Sequence, residues 1–160
     1  MDNNINSIES VLGKILVKNK LTISSAESCT GGLLSGTLIN YPGISAVFTQ
    51  GFVTYSNEAK MELLGVKKDT LDKYGAVSPQ TAEEMVIGLV NRTKTRIGIS
   101  VTGIAGPDGG TDDKPVGLVY SGIYIDGKII IKKYNFNGDR QQVRNNTVQS
   151  ILNLLIDELK

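Results

Sequence analysis

"LVYSGIYIDGKIIIKKYNF", Leu118–Phe136, decides the class of the fold. Two alternating runs of β-branched and aromatic residues flank Asp126-Gly127, a dipeptide suited to a tight turn, so the stretch predicts an antiparallel hairpin. Upstream the pattern changes to strands separated by helices. "VSPQTAEEMVIGLVNRTK" offers Ser78 as N-cap, Pro79 at the first helical position and an apolar stripe of Ala82, Met85, Val86 and Leu89. "RIGISVTGIAG", from Arg96, is an apolar β-rich run ending in glycines, and "LTISSA", Leu21–Ala26, is a shorter one. Alternating helices and strands followed by a hairpin predict an α/β fold, a three-layer α/β/α sandwich around a mixed sheet.

The rest of the chain fits around that frame. From Asn4 to about Lys18, Ile8, Val11, Leu12 and Ile15 follow helical spacing. A second helix is expected from about Thr30 to Asn40, ended by Pro42 and Gly43. "SAVFTQGFVTY", Ser45–Tyr55, reads as one bent strand or two short ones, with Gly51 marking a bend or bulge. "NEAKMELLG" is a short helix stopped by Gly65, with Asn57 or Ser56 as N-cap. Asp139 can cap a helix to the C-terminus that carries Val148, Ile151, Leu152, Leu155 and Leu159 on one face.

Composition narrows the chemistry. The 160 residues are 40% hydrophobic and 21% charged, which suits one domain over residues 1–160. Net charge is +1, from 17 basic and 16 acidic residues, with no basic block, so neither nucleic acid nor an anionic membrane is an expected partner. No apolar run approaches membrane-spanning length, the N-terminus lacks a secretory pattern, and the single cysteine, Cys29, suits a reducing compartment; a cytoplasmic location is expected. With zero histidines the chain cannot build a usual zinc site or Ser-His-Asp catalysis, so no metal or cofactor is expected and a nucleophile must use another base.

Lysine is the natural base. Lys60 falls in the first turn of its predicted helix, where the dipole disfavours an ammonium, and burial would favour the neutral amine further. Ser28, Ser45, Ser56 and Cys29 are the candidate nucleophiles, and Tyr55 could relay a proton. Two glycine-bearing strand exits, "AESCTGG" and "VTGIAGPDGGTDDKPVG", offer free backbone N–H groups to a ligand, although neither has the spacing of a dinucleotide or P-loop motif.

Taken together, "AESCTGGLLSGTL", "YPGISAVFTQGFVTYSNEAKMELLGV", "GAVSPQTAEEM" and "VTGIAGPDGGTDDKPVGLVY" resemble the signature blocks of the CinA C-terminal domain family, which includes the nicotinamide mononucleotide deamidases. The resemblance runs from about Ala26 to Tyr120 and implies the stand-alone form of the domain. It implies hydrolysis of the carboxamide of nicotinamide mononucleotide to nicotinic acid mononucleotide and ammonia, by a homo-oligomer, a dimer or larger. It also implies Ser45 as nucleophile, Lys60 as base and Tyr55 as the assisting group. Ser28, Thr30, Gly31, Thr102 and Gly103 would line the pyridine nucleotide pocket. Arg140 and Arg144, one helical turn apart, are the candidates for its phosphate. The family commonly reads "PGSS" where this chain has "PGIS", and "GPGGGT" where Asp108 stands here. Two other readings are a Cys29-Lys60-Glu27 amidase acting on another amide and a nucleotide-binding regulatory module without turnover.

Overall fold

The structure is a computed structural model and describes residues 6–160. Its centre is a five-stranded sheet of β1 (Ile23–Glu27), β2 (Phe48–Val53), β3 (Ile97–Gly103), β4 (Leu118–Ile125) and β5 (Lys128–Asn135), in the order β2-β1-β3-β4-β5. β1 is parallel to both β2 and β3, whereas β4 pairs antiparallel to β3 and to β5, so the sheet is mixed as expected. The hairpin turns at Asp126-Gly127, where both residues take positive φ (46° and 101°).

Among the described residues six α-helices cover the two faces: α1 (Ile8–Lys18), α2 (Leu33–Leu38), α3 (Asn57–Leu64), α4 (Lys68–Tyr74), α5 (Pro79–Thr93) and α6 (Arg140–Leu159). On one face α1, α2 and α6 pack over a core that includes Leu12, Leu34, Ile99, Val119, Ile151 and Leu152. On the other, α5 lies along the sheet with α3 and α4 against it, around Ala26, Leu64, Leu71, Met85 and Leu89. The predicted stripe of α5 is wholly buried, and its predicted Ser78 cap accepts from Thr81 N–H.

Several boundaries differ from expectation. The predicted start of the first helix at Asn4 lies outside the described residues. The run from Ser45 divides into a 3-10 turn, Ile44–Ala46, and a separate strand, β2. The pairing irregularity opposes Ile23 and Ser24 to Phe48 and Gln50, leaving Thr49 as the extra residue instead of a bulge at Gly51. Gly51 answers another need: a Cβ there would sit 3.0 Å from Ser35 Oγ and 3.1 Å from Ser25 Oγ. α4 was not expected at all. Its N-terminus has no side-chain cap of its own; Glu84, on α5, accepts from Lys67 N–H at 2.8 Å and from Thr70 Oγ1 at 2.6 Å.

Candidate active site

Because β1, β2 and β3 run parallel, the loops leaving their C-terminal ends converge at one edge of the sheet. Alternation along β1 sends Ser24, Ala26 and then Ser28 toward the α5 face, while Ser25 and Glu27 face α2. Ser28 N–H donates to Val101 O at 3.0 Å, tying the loop to β3, and Thr54 N–H donates to Glu27 O at 2.8 Å, tying the end of β2 to β1. α3 is then capped by Ser56, whose side chain accepts from Ala59 N–H, and its fourth residue, counted from Asn57, is Lys60.

Lys60 lies at the centre of the site. It is 1% exposed, its Nζ lies 3.2 Å from Ser28 Oγ, and it donates to Thr54 O at 2.9 Å. It makes no ion pair within 4.0 Å among the described residues. Burial pushes its pKa below the ordinary lysine value, with the nearby Cys29 acting in the opposite sense. The neutral amine that a general base requires is therefore favoured, and desolvation is the main cause. An amine with one N–H on Thr54 O can turn its lone pair to the Ser28 hydroxyl.

Ser28 and Lys60 open on a cavity of about 270 Å³, lined also by Cys29, Tyr55, Asn57, Thr102 and Gly103, by the loop at Ala76 and Val77, and by Asp108 and Arg140. Thr102 Oγ1 donates to Ala76 O at 2.7 Å, which fixes the loop before α5 against the end of β3. At Gly103 a Cβ would stand 2.7 Å from Val119 Cγ2 and 2.9 Å from Leu118 O, so only glycine fits this wall. Arg140, near the start of α6, reaches across the mouth and donates to Tyr55 Oη at 2.8 Å and to Gly106 O at 2.7 Å. Arg144, one helical turn on, reaches the loop after β1 from the same chain.

The structure corrects part of the expected site. Ser45 is exposed in the 3-10 turn that precedes β2, beside the start of β1, where Ile23 N–H donates to Val47 O. The whole of β2 separates it from Tyr55 and Lys60, so Ser45 and Lys60 sit at opposite edges of the sheet. Ser28, expected only to line the pocket, holds the place against the lysine. Thr30 is buried and Gly31 exposed, and neither lines the cavity. Arg144 does not line the cavity either; its Nε donates to Cys29 O at 3.1 Å and its Nη2 to Thr30 O at 2.9 Å. The Cys29-Lys60-Glu27 arrangement also fails. Glu27 is fully buried and accepts from Leu34 N–H, Ser35 N–H and Ser35 Oγ, capping α2, and burial pushes the Cys29 thiol up to about 11. No sequence signal marks Asn57, Ala76, Val77 and Asp108 as lining residues, because only the fold sets their loops around Ser28.

Comparison with known proteins agrees with this architecture. Residues 5–159 match the CinA C-terminal domain. A protein of Clostridium perfringens that bears the provisional name competence-damage inducible protein is 60% identical over 154 residues, which is 96% of this chain. A similarly named protein of Clostridioides difficile is 57% identical over the same share. The chain spans 37% of the length of these two relatives. Among solved structures, a competence/damage inducible protein from Agrobacterium tumefaciens superposes with a TM-score of 0.89 at 42% identity, covering 94% of each chain. A CinA superfamily protein from Escherichia coli gives 0.89 at 33% identity, covering 98% of this chain and 92% of its own. With the five-stranded mixed sheet, its helical layers and the sequence match over nearly all of the chain in agreement, this protein belongs to the CinA C-terminal domain family.

Proposed function

We propose that the chain is an amidohydrolase that converts the carboxamide of nicotinamide mononucleotide to a carboxylate and ammonia, with Ser28 as nucleophile and Lys60 as base. The observation that carries this reading is the buried Lys60 amine 3.2 Å from Ser28 Oγ at the floor of a cavity. In the first half-reaction Lys60 Nζ takes the hydroxyl proton as Ser28 Oγ bonds to the amide carbon, and the carbonyl oxygen becomes an oxyanion. The C–N bond then breaks as the ammonium of Lys60 returns the proton to the departing nitrogen, releasing ammonia. Water, deprotonated by the same amine, adds to the acyl-serine carbonyl; the ester C–O bond breaks as the ammonium of Lys60 returns the proton to Ser28 Oγ, and the acid leaves as the carboxylate, its proton passing to solvent. Among the described residues the Cys29 and Thr30 N–H groups, next to Ser28 in the chain, donate to no backbone or side-chain oxygen, and they are the candidate donors for the oxyanion.

Substrate shape supports the same reading. A cavity of about 270 Å³ is at the small end for organic ligands, enough for an aromatic ring and part of its sugar. Arg140 at the mouth offers a guanidinium fork to a phosphate, and Tyr55 beside it can steady the ring or relay a proton. The test is ammonia release from nicotinamide mononucleotide by wild type, Ser28→Ala and Ser45→Ala. Wild type and Ser45→Ala are expected to turn over, with Ser28→Ala reduced by at least about a thousandfold. Activity in Ser28→Ala, or none in wild type, would remove the assignment.

A further inference from the structure

We infer that Arg144 is a positioning residue for the catalytic loop: its guanidinium holds the Cys29 and Thr30 carbonyls on the α6 side so that the Thr30 N–H faces Ser28 Oγ. The inference rests on the amidohydrolase reading and adds to it the device that sets the oxyanion donors.

The geometry is that of a two-point grip. Arg144 Nε donates to Cys29 O at 3.1 Å and Nη2 to Thr30 O at 2.9 Å, so one rigid fork fixes two consecutive peptide planes. In a trans peptide the C=O and the following N–H point in opposite directions. Holding Cys29 O toward α6 therefore turns Thr30 N–H away from α6. Helix α6 packs on the α1 and α2 face of the sheet, whereas Ser28 Oγ and Lys60 lie on the α5 side, so the freed N–H is directed to the nucleophile's side. Gly31 N–H donates to Ser28 O at 3.0 Å; of the remaining loop donors without a backbone or side-chain oxygen acceptor among the described residues, Cys29 N–H, Thr30 N–H and Gly32 N–H, the first two adjoin Ser28.

The surroundings are built for the grip. Gly31 has φ of +56°, and a Cβ there would lie 3.8 Å from Arg144 Nη2, so the chain turns back directly under the guanidinium. The loop is anchored on both sides, by Ser28 N–H on Val101 O and by Glu27 capping α2 at Leu34 and Ser35. The Thr30–Gly31 peptide has further partners, Thr30 O also accepting from Leu33 N–H and Gly31 N–H donating to Ser28 O, each at 3.0 Å, so the Cys29–Thr30 peptide is the one whose orientation rests on Arg144. Its remaining contact, Nη1 to Gln141 Oε1 at 3.5 Å, is within its own helix. A lysine at this position would present a point charge that cannot fix both carbonyl planes.

The experiment measures the second-order rate at which a small fluorophosphonate labels Ser28, across a pH series, in wild type, Arg144→Lys and Arg144→Ala, with thermal melts alongside. Labelling needs the nucleophile and the oxyanion donors but no knowledge of the natural amide. Arg144→Ala is expected to label about a hundredfold more slowly, the loss typical of a misplaced oxyanion donor, with the pH midpoint set by Lys60 unchanged. Arg144→Lys should recover little, and added methylguanidinium should recover much of the Arg144→Ala rate. A variant within about threefold of wild type overturns the inference alone, as does a loss that appears only as a shifted pH midpoint, or one that methylguanidinium leaves untouched. A wild type that takes no label at Ser28 overturns the nucleophile assignment and the inference with it.

Discussion

Lys60 concentrates the physics of the molecule in one side chain. Burying an amine without an anionic partner opposes folding, and the structure accepts that cost where it also places the amine against Ser28. The sign of the pH effect follows. In the unfolded chain Lys60 titrates near its ordinary 10.5, and in the folded protein lower. Between those two values the unfolded state binds more protons, so this group makes stability rise with pH up to about 10.5. The stability of wild type relative to Lys60→Met, measured by urea unfolding, should increase as pH rises toward 10.5, and a flat difference would count against a depressed pKa. The same titration should give kcat/KM an acid limb that falls as Lys60 takes up its proton, with a midpoint below 10.5, and Lys60→Met should lose nearly all activity. This residue was legible in part before the structure: an absence of histidine and a lysine in a first helical turn pointed to it. Its hydroxyl partner was not, since Ser28 and Ser45 are equally serines in small-residue turns, and only strand order tells them apart.

Elements differ in how openly their causes are written in the sequence. α5 and α6 carry their own signals, Ser78 and Asp139 as caps, and both caps form, the second as a full capping box with Gln142. α4 hides because the group that holds its first turn, Glu84, belongs to another helix. The placement of α3, and so of Lys60, likewise depends on a partner: Gly88 of α5 lies so close that a Cβ there would fall 1.7 Å from Leu64 O, at the last turn of α3. Gly88→Ala must therefore push α3 off α5. It should cost on the order of 2 kcal/mol in denaturant unfolding and lower kcat as well, because Lys60 moves with its helix. Gly36, in α2, is the control, since a Cβ there meets nothing within 4 Å. Gly36→Ala should stabilise by about 0.5–1 kcal/mol with activity retained, and a loss of stability there would show that α2 is more tightly packed than its surface suggests.

At the scale of the whole molecule, the candidate site is a meeting of segments that the chain order keeps far apart. The end of β1 brings Ser28, the passage from β2 to α3 brings Tyr55 and Lys60, the end of β3 brings Thr102 and Gly103, and the start of α6 brings Arg140. The alternation of helices and strands was enough to predict the sheet and its two helical layers. That loops at the C-terminal ends of parallel strands gather at one edge also excludes Ser45, once it is read as standing before β2. Arg140 is where this long-range assembly can be tested apart from the chemistry, because it touches Tyr55 and Gly106 but not Ser28 or Lys60. If its fork receives the substrate phosphate, Arg140→Ala removes a charge-assisted contact of about 1.5–3 kcal/mol, which is roughly a 10- to 150-fold rise in KM for nicotinamide mononucleotide. The riboside, with the same carboxamide and no phosphate, should show nearly equal kcat/KM in variant and wild type. Equal losses on both substrates would instead make Arg140 a brace for Tyr55 and the loop at Gly106, and would move the phosphate to other donors around the mouth.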